Sequence, residues 1–337
     1  MYKIDKFNSF NIIHVEKKGI KISLLDYGAT IYQLQTPDIS NNYEDIVLRY
    51  NNLQDYYNND IYLNATIGPI AGRIKKGEIF TNNKSYILDK NYLSKHTLHS
   101  GNLALSFKKF NYEINEDSTT TNIIFSYQAN NKLNINYTIR VIYIISDYQV
   151  KIKYELNTLN DFYFNITNHA YFNLSGNLKR DIKNHVVQLN TKKRHLLDKD
   201  LITTNKISED PLYDFSKAKP IKEALSKLEN TDTGGLDDIY YFPNHNPNTP
   251  MAIVYEPISK RQMKVYSSYD HLVFYSHNNT DNKPLKHINK HPKHYGLCFE
   301  CEKSPYGYDN NHASNPYLKI KQTYQEYITY KFGLYNE

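Results

Sequence analysis

The chain has no tryptophan, three methionines and two cysteines in 337 residues. Two cysteines cannot build the disulfide framework that staples small secreted domains. They stand as Cys298 and Cys301, a C-x-x-C spacing that elsewhere marks redox or metal chemistry. Here they lie in Gly296-Leu297-Cys298-Phe299-Glu300-Cys301-Glu302, which reads as a strand. A period of two sends them to opposite faces, so neither a shared metal nor a disulfide between them is expected. No window approaches 18 apolar residues, which argues against a membrane-spanning helix. No basic run of five or more occurs and acidic residues are interspersed, so nucleic-acid binding is not expected despite a net charge of +6. Residues 1–19, MYKIDKFNSFNIIHVEKKG, have neither an apolar signal core nor a small-residue cleavage site. A soluble protein that stays in the cytoplasm, without a membrane partner, is the expectation.

Several reaction signatures are also missing. There is no GxSxG, and neither cysteine sits at an electropositive helix start, which removes the usual nucleophiles. None of the 13 histidines falls in HExxH or HxH spacing. His96 and His99 would face opposite ways on an extended chain, and Pro284 and Pro292 disfavour a helix that would align His287 with His291. No metal is expected. The glycine-rich run 65–80, ATIGPIAGRIKKGEIF, lacks the phosphate-loop form. It does carry Arg73 among Ile70, Ala71 and Ile74, where an arginine either snorkels or pairs with a carboxylate or ligand.

What the chain has in abundance is tyrosine, 33 residues, with 14 phenylalanines. Aromatic residues of this kind suit pleated, half-buried surfaces. Hydrophobic content of 40% with 23% charged residues is that of a globular chain. Strand-like runs at 107–114, 121–128, 133–145 and 148–156 are bounded by Asn/Asp turn clusters. Further strands are expected at 20–37 about a glycine corner, at 44–48, 186–190, 239–242, 251–255, 262–267, 272–276, 292–302 and 322–332. Residues 52–57 read as a short helix or turn. The best helix candidate is 220–228, with Pro220 at its first position and Ile221, Leu225 and Leu228 on one side. No linker or internal repeat breaks the chain. The expected class is all-β, a large antiparallel β-sandwich with few short helices, forming a single domain over residues 1–337.

The densest polar stretch is 164–176, FNITNHAYFNLSG, read as a strand passing into a tight loop that ends at Gly176. His169 at its centre is either a satisfied buried histidine or a group held to move a proton. Three arrangements of chemistry are open. His169 with Glu300 would make a general acid–base pair. Asp237 with Asp238, or Glu300 with Glu302, would offer the paired carboxylates that glycoside hydrolysis needs. Along a strand Glu300 and Glu302 share a face, usually as one buried group and one at the rim. Histidines as metal ligands form the third.

An ordered set of motifs resembles the aldose 1-epimerase, or galactose mutarotase, family over residues 20–333. It comprises Tyr27-Gly28-Ala29-Thr30, Gly72-Arg73-Ile74 with Lys76-Gly77, and Leu98-His99-Ser100-Gly101. It continues with 167–174, TNHAYFNL, then Gly235-Leu236-Asp237, Phe274-Tyr275-Ser276 with Asn278, and Gly296-Leu297-Cys298-Phe299-Glu300. The resemblance implies a galactose mutarotase-like supersandwich with an open sugar cleft and no cofactor. It implies that the chain interconverts the α and β anomers of galactose- or glucose-type aldoses. His169 would be the general acid and Glu300 the general base, with Arg73, His99 and Asp237 binding sugar hydroxyls, Gly72 and Tyr171 beside them, and Asn168, Tyr171 and Asn173 holding His169 in place. Mutarotation needs a proton taken from the C1 hydroxyl and one given to the ring oxygen. Reference pKa values suggest an ionised Glu300 and an imidazolium at His169 as the starting state. The partner would be a small-molecule sugar, the protein a monomer or homodimer. A non-catalytic sugar-binding or sensor protein on the same fold is the alternative. The chain departs from the family pattern at Pro69 and Val273 in place of polar residues, at Ser100 in place of a glycine, at 203–205 in place of a Pro-Thr-Gly signature, at Tyr306 in place of an aspartate, and at Glu302 in place of a glutamine.

Overall fold

The computed structural model describes residues 2–81, 84–308 and 314–335. Three antiparallel sheets carry most of the strand residues. The first, of five strands, runs from Tyr2–Phe7 through Phe10–Lys17, Ile20–Leu25 and Thr30–Pro37 to Tyr43–Asp45. Its first two strands had no counterpart in the sequence reading. Tyr2–Phe7 is largely exposed, so its side chains show no buried face.

The second sheet has nine strands. Asn111–Glu116, Thr121–Ala129, Tyr137–Ser146 and Gln149–Thr158 follow one another as a meander. Thr323–Leu334 then inserts between Gln149–Thr158 and Arg261–Ser267. The clean alternation of Gln149–Thr158, with Val150, Ile152, Tyr154 and Leu156 buried, is why this strand is legible from sequence. The strand expected at 133–145 starts later, at Tyr137. Asn131 has taken up the preceding loop, its amide bonding the Ile135 carbonyl.

The third sheet, of six strands, positions the chemistry. Its order is Tyr171–Phe172, Leu297–Glu302, His271–Tyr275, Asp237–Tyr241, Arg194–Leu197, Thr203–Ser208. One face is apolar: Leu297, Phe299, Cys301, Leu272, Phe274 and Tyr240 join the main core. Phe274 stacks on Phe299 directly opposite, with centroids 5.2 Å apart. In that core they meet residues of the other sheets, among them Ile22, Ile31, Tyr143, Ile152 and Tyr330. Pairing in register brings Asp237, Tyr275 and Cys298 into one row on the opposite face, and Ile239, Val273 and Glu300 into the next. The cysteines accordingly sit in different apolar clusters, both buried and both free.

Two expectations need correction. The helix occupies Lys222–Leu228, because Pro220 is paired with Val186 as a short strand and Ile221 forms the cap. Its buried side is still Ile221, Leu225 and Leu228. Residues 164–176 are not one strand. They contribute Thr167–Asn168 to a pairing with Thr66–Ile67 and Tyr171–Phe172 to the six-stranded sheet. The chain changes partner at His169. Among the described residues no helix is long and apolar enough to cross a membrane.

Candidate active site

His169 stands at that change of partner. Its N–H donates to the Ala65 carbonyl at 3.0 Å and its carbonyl accepts from Asn64 at 3.0 Å. Asn64 also accepts the Tyr171 N–H through its side chain at 2.9 Å, and its carbonyl accepts from the Asn168 amide at 3.3 Å. One asparagine thus fixes both sides of His169. The imidazole lies on the Tyr171 ring, centroids 4.8 Å apart and planes 16° apart. The Tyr171 hydroxyl is anchored to the Ile61 carbonyl at 2.8 Å. Asn173 bonds the carbonyls of Arg180 and Tyr295, away from the imidazole.

Glu300 reaches the same point from the six-stranded sheet. His169 Nε2 is 3.5 Å from Glu300 Oε1. The two residues are 5% and 3% exposed, so each charged form loses most of its hydration. Burial holds the His169 imidazole down at about 4. Burial, with Glu302 and Asp237 nearby, pushes the Glu300 carboxyl well above the carboxylate range, against the opposing charge of Arg73. Both shifts run against the starting state expected from reference values, since burial favours a neutral imidazole beside a protonated carboxyl.

Arg73 and Asp237 form the second polar group, with Arg73 Nη2 2.7 Å from Asp237 Oδ2. The guanidinium also lies over the Tyr92 ring, 4.9 Å from its centroid. Asp237 is delivered by a segment that Ser276 and Asn278 pin. The Leu236 N–H donates to Ser276 Oγ at 2.9 Å, and the Asn278 amide donates to the Leu236 carbonyl at 2.9 Å. At Gly235 a Cβ would come within 2.2 Å of Asn278 Oδ1, so only glycine fits.

His99 completes the group. Gly72, at φ +79°, donates its N–H to His99 Nδ1 at 3.3 Å, and the His99 N–H returns to the Gly72 carbonyl at 3.0 Å. Since Nδ1 accepts, the other ring nitrogen carries the proton. Burial, then His169 and Arg73, keep this imidazole well below its ordinary pKa and neutral. One ligand atom each from His99, His169 and Glu300 lie within 4.8 Å of one another. The tautomer fixed by Gly72 turns a donor to the cleft and offers a cation no lone pair.

All seven residues singled out from sequence, Gly72, Arg73, His99, His169, Tyr171, Asp237 and Glu300, line one cleft. Counting its open mouth, it encloses about 880 Å³. Val273 and Glu302 line it too, whereas Pro69 does not. Glu302 is as buried as Glu300 and not at the rim. Asp238 points to the other side of its strand, onto Arg194 at 2.8 Å, so no Asp237/Asp238 pair faces a substrate. Sequence reasoning missed Tyr62 and Tyr275, whose rings flank His169 at 6.4 and 6.1 Å. It also missed a buried cluster of polar groups behind Tyr171. His277 packs edge-on to that ring, His277 Nε2 meets His291 Nε2 at 3.2 Å, and His291 Nδ1 meets Asp281 at 2.8 Å. Tyr275 lies in the motif Phe274-Tyr275-Ser276 but was given no role there; no local motif marks the others, which the fold assembles.

Residues 11–331 match the model of the aldose 1-epimerase family. The chain is 26% identical over 321 residues to galactose mutarotase from Mus musculus, covering 94% of this chain and 92% of that one. It is 29% identical over 283 residues to aldose 1-epimerase from Streptococcus thermophilus, covering 81% and 79%. Its fold matches the crystal structure of an aldose epimerase homologue from C. elegans with a TM-score of 0.87 at 22% identity, over 97% and 100% of the two chains. The chain belongs to the aldose 1-epimerase family.

Proposed function

We propose that this member of the aldose 1-epimerase family interconverts the α and β anomers of galactose- and glucose-type aldoses through His169 and Glu300. The observation that carries this is the 3.5 Å approach of an imidazole nitrogen to a carboxylate oxygen at the wall of a cleft. Glu300 takes the proton of the C1 hydroxyl while His169 protonates the ring oxygen. The C1–O5 bond opens to the free aldehyde. After rotation about C1–C2 the steps reverse and the ring closes on the other face.

Passing a proton from Glu300 to His169 makes the reactive form. The neighbours divide over that transfer: a charge on Glu302 or Asp237 opposes ionisation of Glu300. Arg73 favours an ionised Glu300, and Asp237 favours a protonated His169. Sugar hydroxyls entering the cleft add dipoles where burial had removed water. Arg73, Asp237 and the N–H of His99 hold ring hydroxyls, and the faces of Tyr171 and Tyr275 take the apolar side of the ring. Binding alone requires no acid beside a base, which counts against a purely sugar-binding protein. The same reading carries a cytoplasmic location and a sugar as small-molecule partner, in a monomer or homodimer.

Polarimetry on freshly dissolved α-galactose and α-glucose tests it. Approach to the equilibrium rotation faster than the buffer rate, in proportion to enzyme concentration, is expected for at least one of the two. Rates equal to buffer for both would reject the reading.

A further inference from the structure

We propose that Glu302 is a positioning residue for Glu300: a second buried carboxyl that keeps its proton and by its neutrality lets Glu300 ionise as the base. Glu302 lies two residues beyond Glu300 on the strand Leu297–Glu302, on the same face. It is 1% exposed, and its Oε2 is buried with no hydrogen-bond partner. It also lines the cleft.

The cation that acts on it is Arg73, which makes no ion pair with it. Arg73 is engaged by Asp237 across the cleft, and among the described residues no cation lies within ion-pair distance of Glu302. His271 stands directly opposite on the neighbouring strand, but its Nδ1 meets Asp270 at 2.8 Å. If that nitrogen donates to the carboxylate, Nε2 carries a lone pair and has no proton to give. Tyr241 is opposite His271 in turn, with its hydroxyl unpartnered. Lys303, next along the strand, is an ion pair with Glu326. Cys301 points to the core, and the Tyr324 hydroxyl is taken by Tyr269 at 2.7 Å.

Glu300 and Glu302 ionised together would thus be two adjacent buried charges with no cation for the second. One proton must stay. Glu300 has the His169 imidazole at 3.5 Å to receive its proton; the lone pair of His271 on the strand opposite Glu302 is not bonded to it, since His271 Nε2 and Glu302 Oε2 are both without a hydrogen-bond partner. The proton that remains through the reaction therefore belongs to Glu302. Burial supports this, pushing the Glu302 carboxyl up to about 8 against the pull of Arg73. A glutamine at this position would be neutral at every pH. The carboxyl adds a titration: once Glu302 ionises, Glu300 holds its own proton and the reactive form is lost.

The test is the pH profile of kcat/KM for wild type, Glu302→Gln and Glu300→Gln, measured by polarimetry. In the wild type an alkaline limb near pH 8 is expected. In Glu302→Gln that limb should move up by about one pH unit or more. Glu300→Gln should lose turnover at every pH. An alkaline limb at the same pH in wild type and Glu302→Gln overturns the proposal while leaving Glu300 as base. An active Glu300→Gln overturns the underlying assignment as well. Should Glu302→Gln fail to fold, the carboxyl 13C shifts of glutamate-labelled wild type and Glu300→Gln decide instead. A glutamate that titrates near pH 8 and is still seen in Glu300→Gln supports the proposal, and completion of all glutamate titrations below pH 6 overturns it.

Discussion

Asp237 and Asp238 are neighbours in the chain and face opposite sides of one strand, Asp237 meeting Arg73 at 2.7 Å in the cleft and Asp238 meeting Arg194 at 2.8 Å behind it. The two carboxylates therefore separate activity from stability. Asp237→Asn should lower kcat/KM by about tenfold to a hundredfold, the worth of a hydrogen bond to a charged group. Its melting temperature should change little, since the site is partly open to solvent. Asp238→Ala should do the reverse: it leaves the Arg194 guanidinium without its buried partner, costing about 1–3 kcal/mol of stability with little change in turnover. Urea unfolding and polarimetry on both variants check the pair.

Tyr171 holds the imidazole by its ring and its own position by its hydroxyl. Tyr171→Phe keeps the stack at 4.8 Å and loses the bond to Ile61. It should cost about 1 kcal/mol of stability and leave most activity. Tyr171→Ala removes the stack too, and should add a fall in kcat beyond what its stability loss explains. Equal kcat in the two variants would deny the ring its positioning role.

Gly235→Ala should act on the site from outside it. The new methyl would collide with Asn278 Oδ1, which lies 2.2 Å from its position, and would displace the segment that delivers Asp237. A raised KM for galactose is expected, with kcat less affected.

Stability should peak at mildly acid pH, because buried groups of both kinds pull against each other. His169 and His185 are held down at about 4 and His195 at about 3, each chiefly by burial. In the unfolded chain they titrate near 6.5. Below about pH 6.5 the unfolded state takes up protons first, so their contribution is full above that value and is lost as pH falls towards 4. Glu302, pushed up to about 8, and Asp238, pushed up to about 7, act oppositely. Their contribution is present below about 4 and is lost as pH rises through 7 to 8. Urea midpoints across pH 4–9 should form a maximum between about pH 5 and 7. Glu302→Gln should flatten the alkaline arm and His185→Gln the acid arm.

The cleft was legible where a strand period was enough. The alternation of residues 296–302 places Glu300 and Glu302 on one face and parts Cys298 from Cys301, as the structure has them. The motif order identified every one of the seven cleft residues, but from the family resemblance and not from periodicity. Periodicity has no access to groups assembled by loops. Tyr62 has φ +57° in a turn, and His277 and His291 meet only because the chain folds back between them. The shifts at His169 and Glu300 run against the expected charge states for a single reason. Reference pKa values describe solvated groups, and the depth of burial of His169 and Glu300 depends on packing between sheets far apart in sequence. The break at His169 was hidden similarly, since residues 164–176 alternate like one strand while pairing with two different partners.

The central claim is that His169 and Glu300 together move the two protons of ring opening. Polarimetry of galactose mutarotation by His169→Asn and by Glu300→Gln, each shown folded by circular dichroism, tests it most directly. Each variant is predicted to lose about 10²–10⁴-fold in kcat, and the double variant to lose little more than the worse single one, because the two groups act as a unit. Wild-type kcat in either folded variant would contradict the account.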